Sequence, residues 1–123
     1  TIFAMTATEA AFTKGEEWRK QMISYIEGNI DFVEEYLQAN IPEITIMKPQ
    51  ASYLVWMNFS GLGLEHSALV DMLINKARLA MNDGAMFGKE GEQHMRLNVG
   101  TTRAILKQAL DQLKDAVNEI KTK

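Results

Sequence analysis

Apolar residues recur at helical spacing in some stretches of the chain and at strand spacing in others. Trp18, Met22, Tyr25, Ile26, Val33, Tyr36 and Leu37 share one side of a helix predicted from Glu16 to Asn40 and stopped by Pro42. Glu16 and Glu17 place negative charge in its first turn, matching the helix dipole. Gly28 and Asn29 weaken its middle and predict a kink there. Ahead of it, Thr6-Ala-Thr-Glu9 has the form of a capping box. A short helix is expected over Thr6 to Phe12, interrupted by Gly15.

Ile44 to Met47 and Tyr53 to Phe59 are short apolar runs rich in strand formers, and the first stops at Pro49. Ser60 to Gly63 reads as a loop. Leu69, Val70, Leu73, Ile74 and Ala77 predict a helix from Glu65 to Ala77. A short strand over Leu79 to Asn82 is expected next, closed by the turn signal Asn82-Asp83-Gly84. Gly84 to Gly91 carries three glycines and reads as a loop.

His94 to Val99 alternates cleanly, with Met95, Leu97 and Val99 on one face and His94, Arg96 and Asn98 on the other. Thr101 and Thr102 are candidate N-caps for a last helix. The apolar stripe of that helix is Leu106, Ala109, Leu110, Leu113, Val117 and Ile120. Burying all these stripes together calls for an α+β fold, a small and mostly antiparallel sheet covered by helices on one side. Residues 1–40 form an N-terminal helical segment and residues 41–123 the α+β part.

Composition narrows the classes. The 123 residues suffice for one core, and 46% hydrophobic with 24% charged is ordinary for a globular protein. A net charge of −3 argues against a general nucleic-acid binder. Without cysteine there is no disulfide, thiolate nucleophile or Cys-ligated metal, which fits a reducing compartment. No apolar run approaches the roughly 18–20 residues that span a bilayer, and no signal-peptide pattern opens the chain. A cytoplasmic protein with no membrane partner is expected. The first residue, Thr1, fits processing or excision from a longer protein.

Candidate chemistry is sparse. Gly61-Leu-Gly63 is too short for a phosphate loop. His66 and His94 lie 28 residues apart with no metal-ligand pattern of carboxylates around them and read as surface histidines, so no metal site is assigned. Glu16-Glu17 and Glu34-Glu35 diverge on a helix and read as solvated. Met57, Met72, Met81, Met86 and Met95, among eight methionines, read as adaptable core filler. Arg96 is the most informative residue. It lies mid-strand, its guanidinium is costly to leave unpaired near a core, and its planar fork matches a carboxylate. Gly84, Gly88 and Gly100 would permit close approach by a ligand.

Asn82-Asp-Gly-Ala-Met-Phe-Gly88, Glu90-Gly91, Met95-Arg-Leu-Asn98 and Arg103 together resemble a known pattern. It is that of the C-terminal small domain of fold-type I pyridoxal-phosphate enzymes, class I/II aminotransferase family, in particular the MalY/PatB-type C–S lyases called cystathionine β-lyases. Ala7 to Phe12 with Gly15 to Trp18, Asn29 to Leu37, and Lys48 to Trp56 agree with that branch. The resemblance covers nearly the whole chain. It implies that Arg96 grips the substrate α-carboxylate, with Asn82, Gly84, Phe87 and Gly88 bordering the pocket and Tyr53 and Trp56 structural. The chain departs from the family at Ala51-Ser52 and at Thr101-Thr102.

The resemblance also implies that the Schiff-base lysine, the other cofactor contacts and the phosphate cup belong to a large domain upstream. None of the nine lysines here has that setting. The chain is then roughly the last third of an enzyme that uses pyridoxal 5'-phosphate on amino acids, by β-elimination or transamination. It would be inactive alone, with no catalytic residue of its own, and homodimeric when intact. The alternative is a free-standing α+β module that binds a small carboxylate or a regulatory protein.

Overall fold

The computed structural model describes residues 1–122, so Lys123, the last residue of the expected α+β part, lies outside the described residues. Helices α1 (Ile2–Lys14) and α2 (Glu16–Asn40) open the chain. Strands β1 (Thr45–Met47) and β2 (Leu54–Asn58) follow, then helix α3 (His66–Asp71), which widens into a π turn over Met72–Lys76. Strands β3 (Asn82–Asp83) and β4 (His94–Asn98) precede the closing helix α4 (Arg103–Lys121). The four strands form one antiparallel sheet in the order β1-β2-β4-β3. This is the expected α+β class, with its small antiparallel sheet.

Alternation sorts the strands into two faces. Val55, Met57 and Phe59 on β2 and just past it, with Met95 and Val99 on and beside β4, are buried. Val33 and Leu37 of α2, Leu69 of α3 and Leu106, Leu110, Leu113 and Val117 of α4 belong to the same core. Each such side chain stabilises the fold by about 1.5–3 kcal/mol through burial. The second face carries a row across all four strands, Met47–Trp56–Arg96–Asn82, set by strand register.

Several expectations shift. The first helix begins at Ile2, not Thr6, because Thr1 caps it: the Thr1 hydroxyl accepts the Ala4 N–H at 3.4 Å. Thr6 then lies inside the helix, where no capping box can form. Helix α2 runs unbroken through Gly28 and Asn29. Its buried residues are Asn29, Ile30, Val33 and Leu37, whereas Trp18 and Tyr25 are exposed. Its fully buried residues all lie in its second half, with Ile26 partly buried against the same core. Gly15 joins the two helices at a close approach, since a Cβ there would stand 2.4 Å from the Ala11 carbonyl oxygen.

The third strand is Asn82–Asp83 rather than Leu79–Asn82. The Leu79 N–H donates to the Leu73 carbonyl at 2.8 Å and finishes the helical turn, so it is unavailable to a ladder. Asn82 and Asp83 therefore pair with Arg96 and Met95 instead of turning. The helix predicted to Ala77 keeps its length but ends in the π turn, with the Ala77 N–H bonded to the Met72 carbonyl. Met57, Met72 and Met95 fill the core as read, whereas Met86 is exposed. Thr102 caps α4 through its hydroxyl, which accepts the Ile105 N–H.

Candidate substrate site on the open sheet face

Arg96 stands in the middle of β4 with Trp56 of β2 on one side and Asn82 of β3 on the other. Its Nη2 donates to Asn82 Oδ1 at 3.1 Å. Its guanidinium carbon lies 4.9 Å from the centre of the Phe87 ring, within cation–π range. The Nε atom is buried and has no hydrogen-bond partner among the described residues. No carboxylate forms an ion pair with Arg96 among them. A half-buried guanidinium without a carboxylate partner among the described residues leaves its charge available to an anion.

Phe87 reaches Arg96 from the turn Gly84–Phe87 and packs edge-on against Trp56, ring centres 5.7 Å apart. Trp56 in turn stacks on His94 at 5.7 Å and 14°. The Nδ1 of His94 lies 2.8 Å from the Glu92 carbonyl, which can only accept, so Nδ1 carries the proton. Phe87 thus lies against the guanidinium and links it to the Trp56 and His94 rings on the same sheet face.

The turn that carries Phe87 is built from close backbone approaches. Gly84 is buried, and a Cβ on it would stand 2.3 Å from the Gly91 carbonyl oxygen and 2.6 Å from that of His94. It supports the turn that carries Phe87. Gly88 holds φ +132, a region that disfavours any side chain, and lets the chain leave Phe87. Of the expected residues, Arg96, Asn82 and Phe87 come together, and Gly84 and Gly88 hold the turn beneath them.

Two side chains beside these residues are not singled out by the sequence. Trp56, expected to be structural, pairs with Arg96 and shares its face. The alternation of Val55, Met57 and Phe59 inward already implied that Trp56 points the other way. The second is His66, which reads from sequence as a surface histidine at a helix start. It is half-buried, and its Nε2 lies 3.1 and 3.2 Å from the two Asp83 oxygens. Seventeen residues separate the pair, so no local spacing could have announced it.

No family model matches the chain. It is 40% identical over 116 residues to the cystathionine β-lyase PatB of Bacillus subtilis, covering 94% of this chain and 30% of that protein. Over 78 residues it is 30% identical to an aspartate aminotransferase of Pyrococcus horikoshii, which covers 63% of this chain and 20% of that protein. Cystalysin from Treponema denticola, solved with pyridoxal 5'-phosphate, superposes with a TM-score of 0.92 at 26% identity, over 98% of this chain and 30% of that one.

The fold and the site therefore define a small domain of the pyridoxal-phosphate enzymes. By sequence and fold the chain belongs to the fold-type I class I/II aminotransferase family, as its C-terminal part, with cystathionine β-lyases among its relatives. It spans about 30% of the length of the first curated relatives it matches.

Proposed function

We propose that this chain is the substrate-carboxylate-binding part of an enzyme that uses pyridoxal 5'-phosphate on amino acids, by β-elimination at a C–S bond or by transamination. The observation that carries the reading is Arg96: a guanidinium held by Asn82 and Phe87, with no carboxylate partner among the described residues.

These donors fit the carboxylate end of an amino acid lying beside the cofactor. Five of the nine lysines, Lys20, Lys48, Lys76, Lys107 and Lys121, engage surface carboxylates, which supports placing the cofactor-bearing lysine elsewhere. That lysine and the phosphate contacts are assigned to a large domain, to which residues 1–40 lead and on which residues 41–123 close. The active unit is a cytoplasmic homodimer in this reading.

When bound, the cofactor supplies an electron sink for charge developing at Cα. The residues of this chain do the rest of the positioning. Arg96 takes the α-carboxylate on its fork and fixes the direction of the Cα–H bond. Asn82 holds one end of the guanidinium so that the fork has a single orientation. Phe87 and Trp56 exclude water beside it, which strengthens the ion pair.

The test is Arg96→Ala in the full-length enzyme. kcat/KM for amino acids should fall by about 10²–10³, the loss of a charged bidentate contact, and far less for the matching amine without a carboxylate. Equal losses overturn the carboxylate role. This chain alone, mixed with the cofactor, should show no turnover and no imine absorbance; an imine on one of its lysines overturns the division of labour. Paired assays with cystathionine and with a keto-acid acceptor separate lyase from aminotransferase.

A further inference from the structure

Strand β3 is only two residues long and lies at the sheet edge, yet it carries Asn82, the one side chain hydrogen-bonded to the Arg96 guanidinium among the described residues. Two ladder positions are little to hold such a residue in place. The neighbouring Asp83 supplies more. Its Oδ1 accepts the Ala85 N–H at 2.9 Å, which caps the turn that delivers Phe87. The same carboxylate faces His66 Nε2 at 3.1 Å.

The other ring nitrogen of His66 accepts the Gln93 N–H at 3.1 Å. A backbone N–H can only donate, so Nδ1 is bare and Nε2 carries the proton toward Asp83. Gln93 immediately precedes β4 and holds φ +65, a conformation an L side chain rarely adopts. Its carbonyl accepts the Phe59 N–H at 2.8 Å, past the end of β2. His66 itself is the first residue of α3. One imidazole thus joins the start of α3, the edge strand and the approach to β4.

We infer that His66 is a positioning residue for substrate binding, acting through Asp83 on the two groups that orient Arg96. Asp83 pairs with Met95 while Asn82 pairs with Arg96, so the two side chains leave opposite faces of β3. The imidazole grips the strand from the inner side and leaves the outer side to Asn82. Phe87 is governed by the same carboxylate through the Ala85 cap. Loss of the His66 bond frees both neighbours of the guanidinium at once, while the guanidinium itself remains. The fork then samples several orientations, and the carboxylate is bound less tightly without any reacting group being removed.

This inference rests on Arg96 as the carboxylate-binding group. The experiment compares the full-length enzyme with Arg96→Ala, His66→Ala, His66→Gln and His66→Asn. Glutamine places its amide nitrogen near the Nε2 position and can still donate to Asp83. Asparagine reaches only the Nδ1 position and can serve Gln93 alone. His66→Ala should raise KM for the amino acid about tenfold, the worth of one net hydrogen bond, with kcat within about twofold. His66→Gln should restore KM and His66→Asn should not.

Hydrogen exchange at the Ala85 amide gives a readout independent of turnover. It should speed up in His66→Ala and His66→Asn and return toward the parent rate in His66→Gln. If Arg96→Ala harms amino acid and amine alike, the carboxylate reading itself fails. If Arg96→Ala discriminates between them, two results overturn the positioning role alone. One is an unchanged KM in His66→Ala; the other is equal rescue by glutamine and asparagine. Should His66→Ala fail to fold, the Gln and Asn pair carries the decision.

Discussion

Asn29 Oδ1 accepts a hydrogen bond from Arg103 Nε at 2.7 Å, joining the middle of α2 to the first residue of α4. The Asn29 amide nitrogen donates to the Val99 and Thr101 carbonyls at 2.8 and 2.9 Å. The Arg103 guanidinium lies over Phe32 at 4.8 Å, and its backbone N–H donates to the Tyr25 hydroxyl. A fully buried polar side chain is tolerated here because every one of its groups is used. The network closes off the segment that follows β4, three residues beyond Arg96.

Asn29→Ala should therefore be among the more destabilising single changes. It strands the buried Val99 carbonyl, the part-buried Thr101 carbonyl and a half-buried guanidinium, at a cost of roughly 2–4 kcal/mol. Urea unfolding measures it. A loss under about 0.5 kcal/mol, the scale of an ordinary surface change, contradicts the network's importance.

Gly91→Ala tests the turn beneath the site. A Cβ on Gly91 would stand 1.9 Å from the Gly84 carbonyl oxygen, and backbone must move to admit it. The expected cost is about 2–4 kcal/mol. Because that backbone carries Phe87, KM for the amino acid should rise as well. Gly63→Ala is the control. It has open space around it and only a φ of +64 to strain, so about 1 kcal/mol is expected, with KM unchanged.

Sequence pattern made the architecture legible where periodicity is long or strict. Helix α4 and the alternation of β4 could be read residue by residue, because one face of each is buried along its length. Helix α2 was legible in extent but not in face. Its first half extends beyond the core, so Trp18 and Tyr25 obey helical spacing without being buried. Asn29 looked like a flaw in that helix, and the contacts that make it a core residue lie seventy residues away. Arg96 was legible from strand position and chemistry, and the resemblance gave it a role. Asn82 came only with the resemblance and Trp56 beside Arg96 was not legible, because register between β2, β3 and β4 cannot be read from any one strand. The two-residue β3 fell inside a turn signal, and only pairing with β4 turns Asn82 toward Arg96.

The contact of Tyr36 with Asp111 predicts how stability depends on pH. The Lys107 ammonium, and then the Tyr36 hydroxyl donating its hydrogen bond, hold the Asp111 carboxyl below its ordinary value of 3.8. Burial, and then the bond to Asp111, push the Tyr36 phenol above its ordinary 10.0. A carboxyl depressed on folding contributes fully above its unfolded value and loses that contribution as pH falls through the folded one. A phenol raised on folding contributes fully below its unfolded value and loses the contribution as pH climbs beyond it. Tyr36→Phe should then flatten the alkaline limb of a stability–pH profile. It should make the acid limb shallower without abolishing it, since Lys107 still holds Asp111. Urea midpoints across both limbs check this, and an unaltered alkaline limb contradicts it.

Helix α1 buries none of its residues, and Ile2, Phe3, Met5 and Phe12 are all more than 70% exposed. Its contacts with the remainder run through α2 near the Gly15 junction, so it adds apolar surface to water without adding to the core. Removing residues 1–14 should leave unfolding stability within about 1 kcal/mol, the scale of losing a cap, because Gly15 provides no side-chain cap to α2 that the deletion could disturb. The same deletion should lower the binding of an apolar dye and weaken any self-association, since the largest run of exposed apolar side chains goes with it. Equilibrium unfolding and sedimentation of both forms decide the matter. A large loss of stability on deletion would show that α1 packs on the core in solution, whereas unchanged dye binding would place the sticky surface on the open sheet face beside Met47, Trp56 and Phe87.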